Sequence, residues 1–252
     1  MALGWSEKKC RRIRNLAGIK AQSMQRKHRY NRSSAEVIAP ANLLKPYASF
    51  KDVERPQDGM RYNGMADKQV RAWAQDFTFI RHQASFCYLA VVLDLHTRQI
   101  VGWQLGAAHT AELICAALLS ALSKHAAPNI LHSDQGSEYL SERHQRLCDN
   151  YGIRMSASRR GSPWQNGFME RFFATLKNEL PSFARVSDLA ELFEIVARQI
   201  HYYNTKRIHT SLGMPPVVFA EQAAKRFTDS LTDSLLKIST LRKHKVSQKV
   251  GA

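Results

Sequence analysis

Residues 73–105 read WAQDFTFIRHQASFCYLAVVLDLHTRQIVGWQL, and their texture decides the fold. Three runs in this stretch, Trp73–Arg81, Phe86–Leu93 and Gln99–Leu105, are rich in aromatic and β-branched residues. Such residues suit a pleated surface packed on at least one side. The polar breaks between the runs, His82–Ser85 and Asp94–Arg98, have the length of hairpin turns rather than crossovers. The stretch therefore reads as a three-stranded antiparallel meander. Asp76 interrupts the first run, an acid in the middle of an otherwise apolar segment.

Working outward toward the C-terminus, Thr110 is placed to cap an apolar helix that extends to about Lys124. Its residues Leu113, Ala116, Ala117, Leu119 and Leu122 are available for burial. The pattern then predicts a short strand at Asn129–His132, a helix at Glu138–Asn150 and another strand at Ile153–Ala157. A polar loop follows over 158–166, then helices at about 167–180 and 187–204, the second capped by Ser187. Three antiparallel strands, a helix, a strand, a helix and a strand define an α/β protein. This element order is that of the ribonuclease-H-like fold, a mixed five-stranded sheet with helices on both faces. Ligands of such sheets sit beyond strand ends where connections diverge. Asp76 and Asp134 would meet there.

Toward the N-terminus the chain changes character. Residues 1–32 carry Lys8, Lys9, Arg11, Arg12, Arg14, Lys20, Arg26, Lys27, Arg29 and Arg32 against the single acid Glu7. Residues 1–50 are read as a small basic helical region suited to DNA contact, and 51–70 as a connector marked by Pro56, Gly59 and Gly64. The catalytic core is assigned to 71–222. A basic tail at 223–252 is expected to hold one amphipathic helix around 228–240.

The whole chain of 252 residues has Lys+Arg 37 and Asp+Glu 21, a formal net charge of +16. A surplus of this size attracts phosphate backbones through counterion release, so nucleic acid is the expected partner. Hydrophobic residues make up 44%, enough for a packed core. The four cysteines, Cys10, Cys87, Cys115 and Cys148, include no CxxC pair, which argues against a disulfide framework or a thiolate zinc site. A reducing cytosol fits this usage. No apolar stretch reaches membrane-spanning length and no signal-peptide core is present, so no membrane partner is expected.

Two further acids stand in segments that would expose them. Asp134 lies in Leu131-His132-Ser133-Asp134-Gln135-Gly136, an apolar approach ending in a polar turn. Glu170 lies in Asn166-Gly167-Phe168-Met169-Glu170-Arg171-Phe172-Phe173, 170 − 134 = 36 positions later. Convergent carboxylates are hard oxygen ligands for divalent cations, and on a basic chain they imply metal-dependent chemistry on a polyanion.

The segments around these acids carry a family resemblance. Trp73-Ala-Gln-Asp76-Phe-Thr-Phe-Ile, Tyr88-Leu-Ala-Val-Val-Leu-Asp94, Arg98-Gln-Ile-Val-Gly-Trp103, His132-Ser-Asp134-Gln-Gly-Ser137 and Phe168-Met-Glu170-Arg-Phe-Phe173 occur in the family's order. Tyr202-Tyr-Asn204-Thr-Lys-Arg207-Ile-His209-Thr-Ser-Leu212 extends the match. The chain from Trp73 to about Ala220 resembles the integrase-core (DDE) transposases of bacterial insertion sequences, of the second-reading-frame type, and more distantly the retroviral integrases.

The resemblance implies a DNA transposase that cleaves a donor end and transfers the strand. Its Asp-Asp-Glu set would be Asp76, Asp134 and Glu170, with two Mg2+ ions as cofactor and Mn2+ as a substitute. Asp76 would bridge both ions, Asp134 would complete one site and Glu170 the other. Double-stranded DNA, self-association on DNA and a first-reading-frame partner or fusion carrying a helix-turn-helix are the implied partners. The implied location is the bacterial cytoplasm, with the nucleoid. Two alternatives stay open at this point: a ribonuclease-H-like nuclease without strand transfer, and a non-catalytic DNA-binding regulator derived from a transposase. Glu138 stands where the family usually has a neutral amide.

Other residues have two readings each. Lys177, seven positions after Glu170, lies two turns along the same helix face and could contact DNA phosphate. Arg171, Arg159 and Arg160 suit the same polyanion or serve as solvated charges. Trp164 could stack on a base or close over the core. Gln135, with Gly136, suits close approach of a DNA end or simply the turn. Asp94 is expected to stabilise the turn after the second strand rather than to bind metal. His132 is expected to pack beneath the sheet. Tyr202, Tyr203, Asn204, Arg207 and His209 could dock on the core or touch DNA.

Overall fold

The computed structural model describes residues 39–49, 61–62, 70–82, 85–179, 186, 188–229 and 232. The chain divides into two units, Met1–Ile38 and Ala39–Ala252. The first lies outside the described residues, and the basic helices expected there lie outside them too.

The second unit is built on a five-stranded sheet. A two-residue pairing of β1 (Ala48–Ser49) with β2 (Arg61–Tyr62) precedes it. The main strands are β3 (Ala72–His82), β4 (Ser85–Asp94), β5 (Ile100–Gly106), β6 (Ile130–Ser133) and β7 (Arg154–Ala157). Their order is β5-β4-β3-β6-β7, so the strand carrying Asp76 is central. β3, β4 and β5 form the antiparallel meander, while β6 runs parallel to β3 and β7 parallel to β6. The sheet is therefore mixed, as the element order predicts.

Alternation along the strands explains why both faces are covered. On β4, Leu89, Val91 and Leu93 enter one core while Ala90 and Val92 enter the other. The second core is closed by α1 (Ala111–Leu122), which contributes Leu113, Ala117, Leu118 and Ala121, and by Cys148 of α2 (Glu142–Asn150). The first is closed by α3 (Gly167–Glu179) through Met169, Phe172, Phe173 and Leu176, and by α4 (Leu189–Thr205) through Leu192, Val196, Ile200 and Tyr203. Gly102 lets α1 lie close on β5: a Cβ there would stand 2.5 Å from the Ala117 carbonyl oxygen.

Helix starts follow the local capping chemistry. The Thr110 side chain accepts from the Leu113 N–H, as expected. α2 begins at Glu142, later than the predicted Glu138, because the Tyr139 and Leu140 amides both bond to the Gly136 carbonyl and close a turn first. Ser141 then caps the helix by accepting from the His144 N–H. On α4 the cap is Asp188, which accepts from the Glu191 N–H at 2.8 Å. The expected cap Ser187 lies outside the described residues. At the C-terminal side residues 216–229 and 232 are helical; of the helix expected around 228–240, the remaining residues lie outside the described ones. The Pro215 carbonyl accepts from the Phe219 N–H at the entrance of this helix, where proline is suited.

Residues 39–47 also belong to this unit. Leu44 is fully buried in the first core, and the Leu43 N–H donates to Ser156 Oγ at 2.9 Å. Among the described residues no helix is long and apolar enough to cross a membrane.

Candidate active site

The parity of β3 decides which way Asp76 points. Ala72 and Ala74 face the core closed by α3, and Trp73 faces the other. Asp76 continues the first series, so it lies beneath α3, the helix that carries Glu170. The parallel register Ala74↔His132 carries two residues on to Asp76 beside Asp134. The two aspartates thus stand on neighbouring strands, and Glu170 approaches from the covering helix.

Asp76 is the most enclosed of the three acids. Its Oδ1 accepts from the Phe77 N–H at 2.8 Å and its Oδ2 from Asn166 Nδ2 at 3.0 Å. Burial, followed by the charge of Asp134 and then that of Glu170, pushes its carboxyl up from 3.8 to about 7 against the pull of the Phe77 amide. Asp134 immediately follows β6, and its Oδ1 accepts from the Gly136 N–H at 2.8 Å. Burial of its carboxyl and the neighbouring Glu138 charge push it up, while the Gly136 N–H lowers it. Glu170 is exposed on α3.

Three carboxylates, two of which act on the third, with amide donors at Asp76 and Asp134, are a hard-oxygen donor set that fits a divalent cation. Among the described residues, however, no three His, Cys, Asp or Glu side chains converge into a closed metal-holding group.

Glu138 adds a fourth carboxylate to this surface. Its Oε1 stands 2.8 Å from His109 Nδ1, and the His109 ring stacks on Phe77 with centroids 5.4 Å apart. A Cβ at Gly136 would lie 2.9 Å from Glu138 Oε2 and 3.0 Å from Asp134 Oδ1. A side chain there would crowd the two carboxylates that flank the turn.

Asp94 stabilises the turn, as expected. Its Oδ1 accepts from the His96 and Thr97 N–H groups, both at 2.8 Å, and its Oδ2 accepts from Trp73 Nε1 at 3.1 Å. His132 is fully buried, with Nδ1 2.9 Å from Ser156 Oγ, and burial lowers it to about 4. It belongs to the core beneath the sheet.

The expected DNA-contacting residues differ in their surroundings. Lys177, Arg171, Arg159 and Arg160 are exposed, and Lys177 Nζ sits 4.4 Å above the Phe79 ring. Trp164 is half-buried in a short 3-10 turn, Pro163–Asn166. Gln135 Nε2 donates to the Ser158 carbonyl at 3.1 Å, so this side chain ties the Asp134 turn to the loop after β7. The C-terminal motif docks on the core. Tyr203 is buried against Phe172, Asn204 exchanges two 2.9 Å hydrogen bonds with the Ile100 backbone, and Arg207 pairs with Glu179 at 2.7 Å.

Several contributors escape sequence reasoning. Asn166 holds Asp76 across 90 positions of chain. Gln75, on the opposite face of β3, donates to the Ile114 carbonyl at 2.7 Å, and its Oε1 lies 3.0 Å from His144 Nε2. His144 in turn contacts the Tyr139 carbonyl. A polar Gln75 beside Asp76 in an apolar run was the one visible signal.

Residues 66–163 match the integrase core domain family, and residues 151–216 match a second family model described in the same words. The transposase for insertion sequence element IS904 of Lactococcus lactis is 34% identical over 209 residues, spanning 81% of this chain and 76% of that protein. Among solved structures, the fold is similar to a chain of the simian T-cell lymphotropic virus intasome in complex with PP2A regulatory subunit B56 gamma. That likeness has TM-score 0.52 and 21% identity, and covers 57% of this chain and 52% of that one. It is also similar to the HTLV-2 integrase catalytic core domain in complex with magnesium, with TM-score 0.50 and 20% identity, covering 59% of this chain and 94% of that one.

Proposed function

We propose, since this chain belongs to the integrase-core transposases of insertion sequences, that Asp76, Asp134 and Glu170 are its catalytic acids for DNA end cleavage and strand transfer. The observation that carries this reading is the environment of Asp76. A carboxylate enclosed beneath α3, held by two amide donors and facing the charges of Asp134 and Glu170, calls for a cation.

Asp76 would hold both of two divalent ions, Asp134 one and Glu170 the other. Bound Mg2+, with Mn2+ as a substitute, would supply charge neutralisation at the scissile phosphate and strengthen the attacking oxygen. The magnesium-bound HTLV-2 integrase core, similar in fold, is consistent with that assignment. Asn166 and the Phe77 amide orient Asp76, and the Gly136 amide orients Asp134. Lys177, Arg171, Arg159 and Arg160 are assigned to phosphates flanking the acids, and Trp164 and Gln135 to the DNA end.

In the first step a water oxygen bonds to phosphorus as the P–O3′ bond breaks, and the proton passed to the departing oxygen leaves a free 3′ hydroxyl on the element end. That hydroxyl then attacks a target phosphodiester. A new P–O bond forms, a target 3′ hydroxyl leaves, and no protein–DNA bond is made. The substrate is double-stranded DNA, in the bacterial cytoplasm with the nucleoid, and the protein acts as a multimer on paired ends. A first-reading-frame partner or fusion supplies end recognition.

A strand-transfer assay with a pre-cut oligonucleotide end tests this directly. Joined products that require Mg2+ or Mn2+ and vanish in Asp76→Asn are expected. Hydrolysis without joining would replace the reading with that of a nuclease.

A further inference from the structure

Two large apolar side chains at the far end of the β3–β4 hairpin are exposed, Phe79 to 56% and Phe86 to 49%. Exposed apolar residues scattered singly are ordinary. These two are in contact, their rings meeting edge to face with centroids 5.6 Å apart, and Lys177 Nζ lies 4.4 Å from the Phe79 centroid. Arg81 stands directly opposite Phe86 in the antiparallel register, hence on the same face, and is exposed as well.

The sheet explains the exposure. On this face the second core reaches Phe77 and Tyr88, and the two strands run on past it. On its other side β3 pairs with β6 only through Ala72–Ala74, so from Asp76 onward that edge of β3 has no strand partner among the described residues. Strand parity points Asp76 and Phe79 to opposite faces. Lys177 belongs to α3, which covers the Asp76 face, so its contact with Phe79 closes around the open edge. The aromatic pair is thus separated from Asp76 by three residues of strand, about 10 Å, with a cation standing between the two faces.

Aromatic faces beside cations suit unpaired nucleotides, since the ring takes the base and the cation its phosphate, whatever the sequence. Paired bases inside a duplex present no free face, so only a melted or frayed end qualifies. The charge around the pair selects the same occupant. Lys177 and Arg81 flank the rings on a chain of net charge +16, which attracts a polyanion and repels a second copy of itself. We propose that Phe79 and Phe86 form a stacking platform for unpaired bases at a DNA end, with Lys177 and Arg81 on the adjoining phosphates. This rests on the reading of the chain as one that acts on DNA ends.

The test measures affinities of the full chain by fluorescence anisotropy in EDTA. The probes are a blunt duplex, a duplex with a short unpaired overhang, and the same duplex with an abasic overhang. Stacking is worth about 5–150-fold per base, so wild type is expected to prefer the base-bearing overhang about tenfold over the abasic one. The preference should vanish in Phe79→Leu/Phe86→Leu, which keeps apolar bulk without a ring, and persist in Phe86→Tyr. Equal affinity of wild type for the two overhangs would overturn the proposal, as would a leucine variant that retains the preference. Light scattering on the same samples guards against a protein contact: an assembly that falls apart in the leucine variant while the preference stays would also overturn it. The parent reading fails separately. A chain that prefers bases but joins no ends in the strand-transfer assay keeps the platform and loses the catalytic reading, whereas one that joins ends without the preference loses the platform alone.

Discussion

The carboxamide of Asn166 donates to Oδ2 of Asp76 at 3.0 Å. This bond joins the turn that launches α3 to the central strand β3, and so couples the position of Asp76 to the helix bearing Glu170.

Asn166→Ala is therefore expected to slow strand transfer 10–100-fold, the usual cost of removing a group that orients a ligating carboxylate, with DNA-end affinity close to wild type. Single-turnover kinetics beside a DNA-binding titration would check this. A loss confined to binding would contradict the orienting role.

Each acid should be individually indispensable for chemistry. On the proposed assignment, Asp76→Asn, Asp134→Asn and Glu170→Gln each exchange a charged ligating carboxylate for a neutral amide and forfeit charge stabilisation worth several kcal/mol, a loss on the order of a thousandfold in rate. DNA binding measured in the same buffers should stay within a few-fold of wild type.

The stability of the metal-free protein should carry the mark of Asp76. Its carboxyl is raised above its unfolded value, from 3.8 to about 7. Its contribution to stability is thus complete at low pH and lost as pH rises through about 7. Asp76→Asn is expected to flatten that loss, raise metal-free melting near pH 8 and abolish stabilisation by Mg2+. Thermal melts across pH, with and without metal, would decide it. A variant that melts lower than wild type at pH 8 would refute it.

His132 should act in the opposite direction. Burial lowers it from 6.5 to about 4. The unfolded chain takes up this proton first, so the contribution is complete above about pH 6.5 and lost as pH falls toward 4, on the order of 3 kcal/mol. In an Asp76→Asn background, which removes the opposing slope, His132→Gln is expected to reduce acid destabilisation seen in denaturant titrations at about pH 4.5 and 7.

Docking of the C-terminal motif gives a contrasting case. Asn204→Ala would strip the Ile100 N–H and carbonyl of their partners at the start of β5. A loss of about 2 kcal/mol is expected from the two unsatisfied backbone groups, read by chemical denaturation. DNA affinity of the folded protein should not change.

The meander was legible in residues 73–105 because strand texture and turn length are local properties. The alternation of Leu89, Ala90, Val91, Val92 and Leu93 shows only continuous apolar character in the sequence, and the structure resolves it into two cores. α2 starts later than expected because the Gly136 carbonyl first takes the Tyr139 and Leu140 amides, whereas α4 is capped by Asp188, one position past the expected Ser187. His132 and Asp94 read correctly as structural, since strand parity and turn chemistry are both written in short windows.

What the sequence determined by itself was the class of sheet, the order of its elements and three acids in segments that a family shares. These follow from local propensity and from motif residues that survive being read one after another. The tertiary structure alone decided that Asn166 reaches Asp76, that His109 holds Glu138 and that the Tyr139 hydroxyl is buried without a partner. It also decided that the Tyr203–Arg207 segment serves docking. The physical reason is that periodicity encodes which side of an element is buried. The partner met there is set by packing between segments many tens of residues apart, and no short window contains it.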